Sequence, residues 1–304
     1  MHINKGFILA AGFGTRMGEI GQLIPKVLWP VFDTTLLGLQ IKFLNAIGVS
    51  DISVNLHHQR DKISQYLDDH FSNVHQIVEM DILDSGGGVQ NYISIRDIKE
   101  TFVCLNSDQY LAVDSNKLKE KLILEKDKRA KLFITDTVGS YSSLIYDEQR
   151  ILKNIESGDG RSMFVGLSLI NASGLKRIHG KSRYFETVSN YKKEKVEVND
   201  LDGDYLDFGE ISKYQKSCFD VLDNVMNNDK SYLFWERTGL LNRSKINSQY
   251  RSYNCKQKNV LNFSKAELQN IYPEGSIVLK ECSKQELVLN NACIVYGDVM
   301  VEIK

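Results

Sequence analysis

The sequence predicts an α/β fold in which a mainly parallel sheet is covered by helices, followed by a small, mainly β appendage. Apolar runs of strand length alternate with helix-period segments through the first two-thirds of the 304 residues, and this alternation is typical of a parallel sheet. The remaining residues carry short β-type runs broken by Asn and Gly. We therefore predict domains at 1–226 and 227–304. The second is either a short β-helix-like repeat or a β appendage without a repeat.

The predicted elements follow from period and from turn residues. Runs such as "DISVNL" and "TFVCLNSD" predict strands, whereas "TLLGLQIKFLNAIG" has helical spacing and stops at Gly48, a common C-terminal cap residue. Strands are predicted at 6–11, 51–56, 75–80, 101–108, 130–137, 163–171 and 194–201, with a β-hairpin at 142–156. Helices are predicted at 35–48, 60–71, 89–98, 116–126 and 211–226.

Charge and composition limit the class of partner. Lys plus Arg number 38 and Asp plus Glu number 39, so no global positive field favours nucleic acid or an anionic membrane. No apolar run approaches the ~20 residues of a membrane helix, and the run at 7–11 is too short for a signal peptide. The five cysteines form no C-x-x-C pair, which predicts reduced thiols. We expect a cytoplasmic protein with no nucleic acid or membrane partner, and leave a homo-oligomer open.

A glycine-rich stretch near the N-terminus carries the first chemical signal. "FILAAGFGTRMGEIGQLIPKVLWPV", residues 7–31, joins a strand to a glycine loop, whose backbone N–H groups can approach a phosphate closely. The third glycine is one place late for a dinucleotide fold, and no G-K-[ST] completes a P-loop. Pro25 and Pro30 flank Lys26 and favour a defined, extended loop. Together with Arg16, Lys26 makes the stretch suited to a triphosphate.

This stretch resembles the signature L-A-A-G-x-G-T-R, followed by P-K-x-L-x-P-V, of the sugar-1-phosphate nucleotidylyltransferases. Three further elements match in order over residues 3–226: "DSGGGVQ" resembles the base-reading glycine loop, "LNSD" the strand-end N-G-D, and "YLDFGEISKY" the W-x-D-I-G-T-P-x-x-Y element. The glycine loop is most similar to the T-G-G-G form of N-acetylmuramate-1-phosphate uridylyltransferases and mannose- or heptose-1-phosphate guanylyltransferases. The resemblance implies a three-layer α/β/α, Rossmann-like domain of the GT-A type.

The resemblance also implies a reaction and its residues. A sugar 1-phosphate attacks the α-phosphorus of a nucleoside triphosphate in line, giving an NDP-sugar and pyrophosphate. Arg16 would neutralise the pyrophosphate and Lys26 would bridge the attacking and attacked phosphates. Asp108, a catalytic residue, and Asp207 would hold Mg²⁺, which favours carboxylate oxygens and phosphates. The implied nucleotide contacts are Leu9, Ala10, Ala11, Gly12, Gly14, Thr15, Gly86, Gly87, Gly88 and Asn106, and the implied sugar contacts are Glu156 and Gly166.

Several alternatives stay open. A GT-A glycosyltransferase shares the implied architecture but normally shows D-x-D, where this chain has Asn106-Ser107-Asp108. Such glycosyltransferases also lack the element that contains Lys26 in this chain. A catalytically silent paralogue could bind nucleotide as a regulator. UTP, GTP and CTP are all compatible with a backbone-read base, and "IESG" and "FVGL" depart from the family's sugar elements. Every matched element precedes residue 216, so we expect the tail to serve assembly or regulation and its removal to leave some transfer activity.

Overall fold

The computed structural model describes residues 3–136, 141–157, 162–227, 229–241, 259–264, 268–283 and 289–303. The strands are β1 (Lys5–Leu9), β2 (Pro30–Val31), β3 (Thr34–Thr35), β4 (Asp51–Leu56), β5 (His75–Val78), β6 (Thr101–Asn106), β7 (Gln109–Val113), β8 (Ala130–Asp136), β9 (Ser143–Tyr146), β10 (Leu152–Glu156), β11 (Ser162–Asn171), β12 (Val196–Asp200), β13 (Gly203–Asp207), β14 (Leu261–Asn262), β15 (Ile277–Lys280), β16 (Cys293–Tyr296) and β17 (Val299–Glu302). The α-helices are α1 (Ile20–Leu23), α2 (Leu36–Ala46), α3 (Arg60–His70), α4 (Asp84–Ile95), α5 (Ser115–Lys121), α6 (Tyr184–Thr187), α7 (Ile211–Met226) and α8 (Leu233–Arg237), and short 3₁₀ turns cover Thr15–Met17, Lys26–Leu28 and Lys230–Tyr232.

The chain divides into two compact units, each built from two segments. The first unit comprises Met1–Gly12 with Gln40–Tyr205, and the second comprises Phe13–Leu39 with Leu206–Lys304. This division does not coincide with the predicted one at residue 226, because the stretch after Gly12 and helix α7 both cluster with the tail. Contacts distant in sequence cause the difference: Trp29 packs edge-on against Tyr214 of α7, with 5.0 Å between ring centroids.

The first unit is built on one mixed sheet that confirms the predicted α/β class. Its central order is β10-β9-β11-β6-β1-β4-β5, and β8 joins β11 to β12. Strand β1 pairs in parallel with β4 and β6, whereas β11 is antiparallel to β6, β8 and β9. Phe7 of β1 stacks on Tyr92 of α4 at 4.4 Å, within a buried cluster that includes Phe102 and Cys104, alternate residues on one face of β6. Strand β1 leads directly into the glycine stretch.

Several elements of the first unit differ from the sequence prediction, and the short helix α6 was not predicted. Helix α4 starts at Asp84, so Gly86 and Gly87 lie inside it and not in a preceding loop. Strand β7 was not predicted, and α5 ends at Lys121 instead of continuing to residue 126. A Cβ on Gly86 would lie 2.4 Å from the Arg183 carbonyl oxygen, and one on Gly87 would lie 2.4 Å from that of Gly180. These glycines therefore allow a close approach of another backbone segment.

The second unit contains helix α7 and the predicted small β region. Helix α7 has the predicted bounds and buries one apolar stripe that includes Val221, Leu222 and Val225. Strands β14, β15 and β16 pair in parallel, with Leu261 opposite Ile277 and Ile277 opposite Ile294, and β17 closes the sheet antiparallel to β16. Successive parallel strands along the chain are the pairing that a β-helix has.

Two further observations concern membrane-spanning helices and the state of the cysteines. In the part of the chain that the structure describes, no helix is long and apolar enough to cross a membrane. The described cysteines, Cys104, Cys218, Cys282 and Cys293, are buried free thiols, and Cys255 lies outside the described residues. The described thiols therefore agree with the predicted reduced state.

Candidate active site

Three predicted site residues of the second unit gather around the backbone of Gly209. The Lys26 ammonium donates to the Gly209 carbonyl oxygen at 3.1 Å, and the Gly209 N–H donates to Asp207 Oδ1 at 2.6 Å. A Cβ placed on Gly209 would lie 3.5 and 3.6 Å from the two terminal nitrogens of Arg16. Arg16, Lys26 and Asp207, far apart in sequence, thus surround one peptide group.

The glycine loop has the conformation that brings Lys26 close to it. Gly14 has φ of +63°, in the left-handed region that favours glycine, and it precedes the 3₁₀ turn that contains Arg16. A Cβ on Gly14 would lie 3.2 Å from the Cβ of Lys26. Lys26 itself starts a 3₁₀ turn, with Pro25 as its N-terminal cap residue. Thr15 and Arg16 are exposed, so the loop presents both side chains to solvent.

Lys213 is a member of this cluster that the sequence did not reveal. Its ammonium lies 3.0 Å from Asp207 Oδ2 and 3.9 Å from a carboxylate oxygen of Glu210. Lys213 stands in the first turn of α7, within a stretch whose motif letters give no reason to single out a lysine. The cluster therefore has three cations around Asp207, an arrangement suited to a polyanion.

The donor set around Asp207 fits Mg²⁺ when phosphates contribute to its coordination. Both carboxylate oxygens have protein partners, Gly209 and Lys213, and the described residues contain no group of three or more His, Cys, Asp or Glu side chains that could hold a metal. Mg²⁺ usually keeps waters and binds through one or two carboxylates plus substrate phosphates. A carboxylate such as Asp207 is therefore a suitable partial ligand, with phosphate oxygens as the remainder.

In the first unit, a buried polar network supports the start of the glycine stretch. Asn55 at the end of β4 accepts a hydrogen bond from the Ala10 N–H at 2.6 Å, and its amide donates to Glu79 Oε1 at 2.8 Å. A Cβ on Gly88 would lie 2.9 Å from the Asn55 amide nitrogen and 3.0 Å from Glu79 Oε1. Gly88 therefore leaves room for the pair. Gly12, by contrast, is exposed, and a Cβ there would meet no atom of the described residues within 4 Å.

Glu79 makes the stability of this network pH-dependent. Burial raises the pKa of its carboxyl above the ordinary 4.5, and the hydrogen bond from Asn55 opposes part of the rise. The folded state then holds the proton more tightly than the unfolded state, so stability falls as the pH rises above 4.5 through the folded pKa. The glutamine of Glu79→Gln is neutral at every pH, so this variant should not show the fall in stability as the pH rises.

The measurement is the free energy of unfolding in urea at pH values from 4 to 8 for Glu79→Gln and the wild type. The variant should gain relative stability as the pH rises. Glu120→Gln, which changes an exposed carboxyl on α5, is the control and should follow the wild type. A wild-type slope in Glu79→Gln would show that Glu79 has no raised pKa.

The predicted base-reading glycines have partners within the first unit. The N–H groups of Gly86 and Gly87 both donate to the Ser182 carbonyl oxygen, at 2.9 and 3.1 Å. The Ser182 N–H donates in return to the Leu83 carbonyl oxygen at 3.0 Å. Their contact with a base stays a prediction, and the structure gives them a packing role that the motif did not indicate.

A cavity of about 580 Å³ opens within the first unit beside the ends of its central strands. Leu9, Asn106 and Gly166, three predicted contacts, line it, whereas Glu156 is exposed and is not among the lining residues. Gly166 has φ of +76°, and a Cβ there would lie 2.8 Å from the Asn106 amide nitrogen. Asp108 is half-buried in the short connection between β6 and β7. The first unit thus brings together the predicted nucleotide and sugar contacts Asn106 and Gly166.

Comparison with known proteins identifies a family domain in the first half of the chain and several similar proteins. Residues 5–143 match the family model described as nucleotidyl transferase. This segment of the chain is therefore a nucleotidyl transferase domain. It is 23% identical to D-glycero-alpha-D-manno-heptose 1-phosphate guanylyltransferase of Campylobacter jejuni over 217 residues, which cover 69% of this chain and 96% of that protein. It is 27% identical to the bifunctional protein GlmU of Campylobacter lari over 54% of this chain and 37% of that protein's length.

A solved structure has the same fold as this chain. HddC from Yersinia pseudotuberculosis, complexed with GMP-PN, aligns with a TM-score of 0.60 and 21% identity over 72% of this chain and 99% of that one. The predicted fold, family and enzyme class are thereby confirmed. The roles of the individual site residues stay predictions.

Proposed function

We propose that this nucleotidyl transferase joins a nucleoside triphosphate to a sugar 1-phosphate through Arg16, Lys26 and Asp108, with Mg²⁺ as cofactor. The observation that carries the proposal is the convergence of Arg16, Lys26 and Asp207 on the Gly209 peptide. Charges of this kind, fixed by backbone contacts, are what a reaction between two phosphates needs, because catalysis there depends on positioning and charge stabilisation.

The reaction proceeds by one displacement at phosphorus. An oxygen of the sugar phosphate forms a bond to the α-phosphorus, the bond from that phosphorus to the α,β-bridging oxygen breaks, and pyrophosphate leaves with the electron pair. The attacking oxygen is already anionic, so no general base is required. Arg16 stabilises the charge that develops on pyrophosphate. Lys26 lies between the attacking and attacked phosphates and reduces their repulsion.

Asp108 and Asp207 keep their proposed role as Mg²⁺ ligands. Bound Mg²⁺ would supply Lewis-acid polarisation of the phosphates. Lys213, which pairs with Asp207 at 3.0 Å, would hold that carboxylate in place. Ala11, Gly12, Gly14 and Thr15 would contact the triphosphate through their backbone, as the family signature implies, and a cytoplasmic location would give access to nucleoside triphosphates.

The names of the similar proteins suggest which nucleotide base the protein binds. The Campylobacter jejuni relative is named a guanylyltransferase, and the aligned HddC structure contains GMP-PN, so GTP is the first candidate. UTP and CTP follow, because a base read through backbone groups leaves no side-chain signature. The oligomeric state is left to direct measurement.

The test is a pyrophosphate-release screen of GTP, UTP and CTP against a panel of sugar 1-phosphates. We expect turnover with one triphosphate, and Lys26→Gln should lower it at least about tenfold, since one fixed charge-stabilising group is lost. Lys216→Gln is the matched control, because Lys216 pairs with Asp220 on the exposed face of α7. Nucleotide binding without turnover in any pairing would favour a silent regulatory paralogue.

A further inference from the structure

An aromatic cluster dominates one part of the cavity in the first unit. Phe185 is at its centre, with its ring centroid 5.3 Å from Tyr184, 6.1 Å from Phe164 and 6.4 Å from Tyr191, all nearly perpendicular. All four residues line the cavity. Phe164, Phe185 and Tyr191 are half-buried, so each ring keeps an accessible part. This cluster offers a ligand rigid apolar surface.

Several polar groups beside these rings already have hydrogen-bond partners within the protein or are weak partners. The Tyr184 hydroxyl and the Ser168 hydroxyl are hydrogen-bonded at 2.7 Å, and both residues are buried. Burial raises the pKa of the Cys104 thiol to about 12, so this lining residue stays neutral and is a weak hydrogen-bond partner. The Asn190 amide donates to the Glu186 carbonyl oxygen at 2.9 Å. A ligand hydroxyl buried here without a partner would lose about 1 to 3 kcal/mol.

The cavity lining also contains charged residues, which are exposed and can attract a charged group of a ligand. Arg183, Glu186 and Lys192 are exposed, so they lie where the cavity meets solvent. Arg183 and Lys192 would attract a phosphate, and the Arg183 guanidinium is already 3.7 Å from Glu186. The cavity thus suits a ligand with an anionic group and, elsewhere, an apolar one.

We propose that the cavity selects a sugar 1-phosphate that carries an apolar substituent, such as an N-acyl or deoxy group, over its fully hydroxylated counterpart. This inference rests on the proposed function. An N-acyl methyl or a deoxy carbon would pack against Phe185, Phe164 and Tyr191, whereas a hydroxyl in the same place would meet ring faces that offer no strong hydrogen-bond partner. One apolar group in a fitted pocket is worth roughly 10- to 200-fold in kcat/KM. Phe185 is then a specificity-determining residue.

The experiment compares two matched pairs of acceptors with the preferred nucleoside triphosphate. N-acetylglucosamine 1-phosphate is set against glucose 1-phosphate, and D-fucose 1-phosphate, which is the 6-deoxy form, against D-galactose 1-phosphate. We expect kcat/KM to favour the substituted member of at least one pair about tenfold or more. Phe185→Ala should reduce that ratio to below about threefold, and Phe185→Leu, which keeps apolar bulk, should retain part of it. Tyr66→Ala, at a half-buried aromatic of α3 outside the cavity, should leave it unchanged.

Acceptor binding measured by calorimetry separates this inference from the proposed function. The same pairs are titrated in the presence of an α,β-methylene triphosphate analogue, so no turnover is needed. Preferential binding of the substituted member without turnover would support the selectivity and overturn the proposed reaction. Turnover or binding that favours the hydroxylated member of both pairs, or a ratio unaffected by Phe185→Ala, would overturn the selectivity alone. Absence of both turnover and binding would overturn both.

Discussion

Asp207→Asn should lower turnover on the order of 10²-fold or more while leaving the fold intact. Asparagine keeps an oxygen that can accept the Gly209 N–H, now bonded to Asp207 Oδ1 at 2.6 Å. It removes the anionic oxygen that lies 3.0 Å from the Lys213 ammonium. The backbone geometry should therefore survive, whereas the charge proposed to hold Mg²⁺ is lost.

The measurement is turnover against Mg²⁺ concentration, with the melting temperature recorded alongside. Asp108→Asn should show a loss of similar size. Asp204→Asn is the matched control, because Asp204 is an exposed carboxylate on the same strand, β13. Lys213→Met tests whether Asp207 acts as a metal ligand or only through its ion pair with Lys213. If Asp207 acts only through the ion pair, this variant should lose as much turnover as Asp207→Asn. Normal turnover with unchanged Mg²⁺ dependence in Asp207→Asn would remove Asp207 from the site.

Elements whose pattern is local could be predicted from the sequence. Helix α7 has an amphipathic period along its whole length, and strand β4 is a short apolar run between turn residues, so both have the predicted bounds. Helix α4 was placed five residues too late because its glycines indicate a loop when read alone. They lie in the helix because Arg183 and Gly180 approach from elsewhere in the chain, a contact that no local pattern contains.

In the candidate site, too, local motifs predicted some residues, whereas others are recognised only from contacts distant in sequence. Arg16, Lys26 and Asp207 stand in ordered motifs, and the structure places them around one peptide group. Asn55 and Glu79 were not predicted, because their value comes from pairing with each other and with the Ala10 N–H across three separate segments. Motif letters identify the residues proposed to contact substrate, whereas the residues that hold them in place depend on contacts distant in sequence.

The tail gives the clearest example of contacts distant in sequence that hold a motif in place. It packs against the signature stretch inside the second unit. The Phe32 ring lies 6.0 Å from Trp235 and 5.5 Å from Phe263, both in perpendicular arrangements. The Asp33 N–H donates to the Leu240 carbonyl oxygen at 3.1 Å. The residues that follow Lys26 are therefore held by residues beyond 226, which the sequence suggested were separable.

A second contact joins the tail to the turn that contains Arg16. A Cβ on Gly18 would lie 3.4 Å from a methyl carbon of Val301 in β17. Further along, the Gln215 amide of α7 donates to the Gly275 carbonyl oxygen at 2.8 Å. The tail thus contacts the segment that carries the two proposed catalytic cations as well as the helix that carries Lys213.

Truncation after residue 226 should consequently abolish transfer, contrary to the expectation from sequence that some activity would survive. Trp235→Ala is the milder test in the full chain: Trp235 is fully buried, and its loss should lower the free energy of unfolding by about 3 to 5 kcal/mol. Turnover measured below the melting temperature should also fall, because Phe32 loses a packing partner and the segment carrying Lys26 is held less firmly. Ile271→Ala, at a tail side chain that is 54% exposed, is the control and should change neither quantity. Denaturant unfolding and pyrophosphate release are measured for each protein, and a soluble truncated chain with wild-type turnover would show that the tail is dispensable for catalysis.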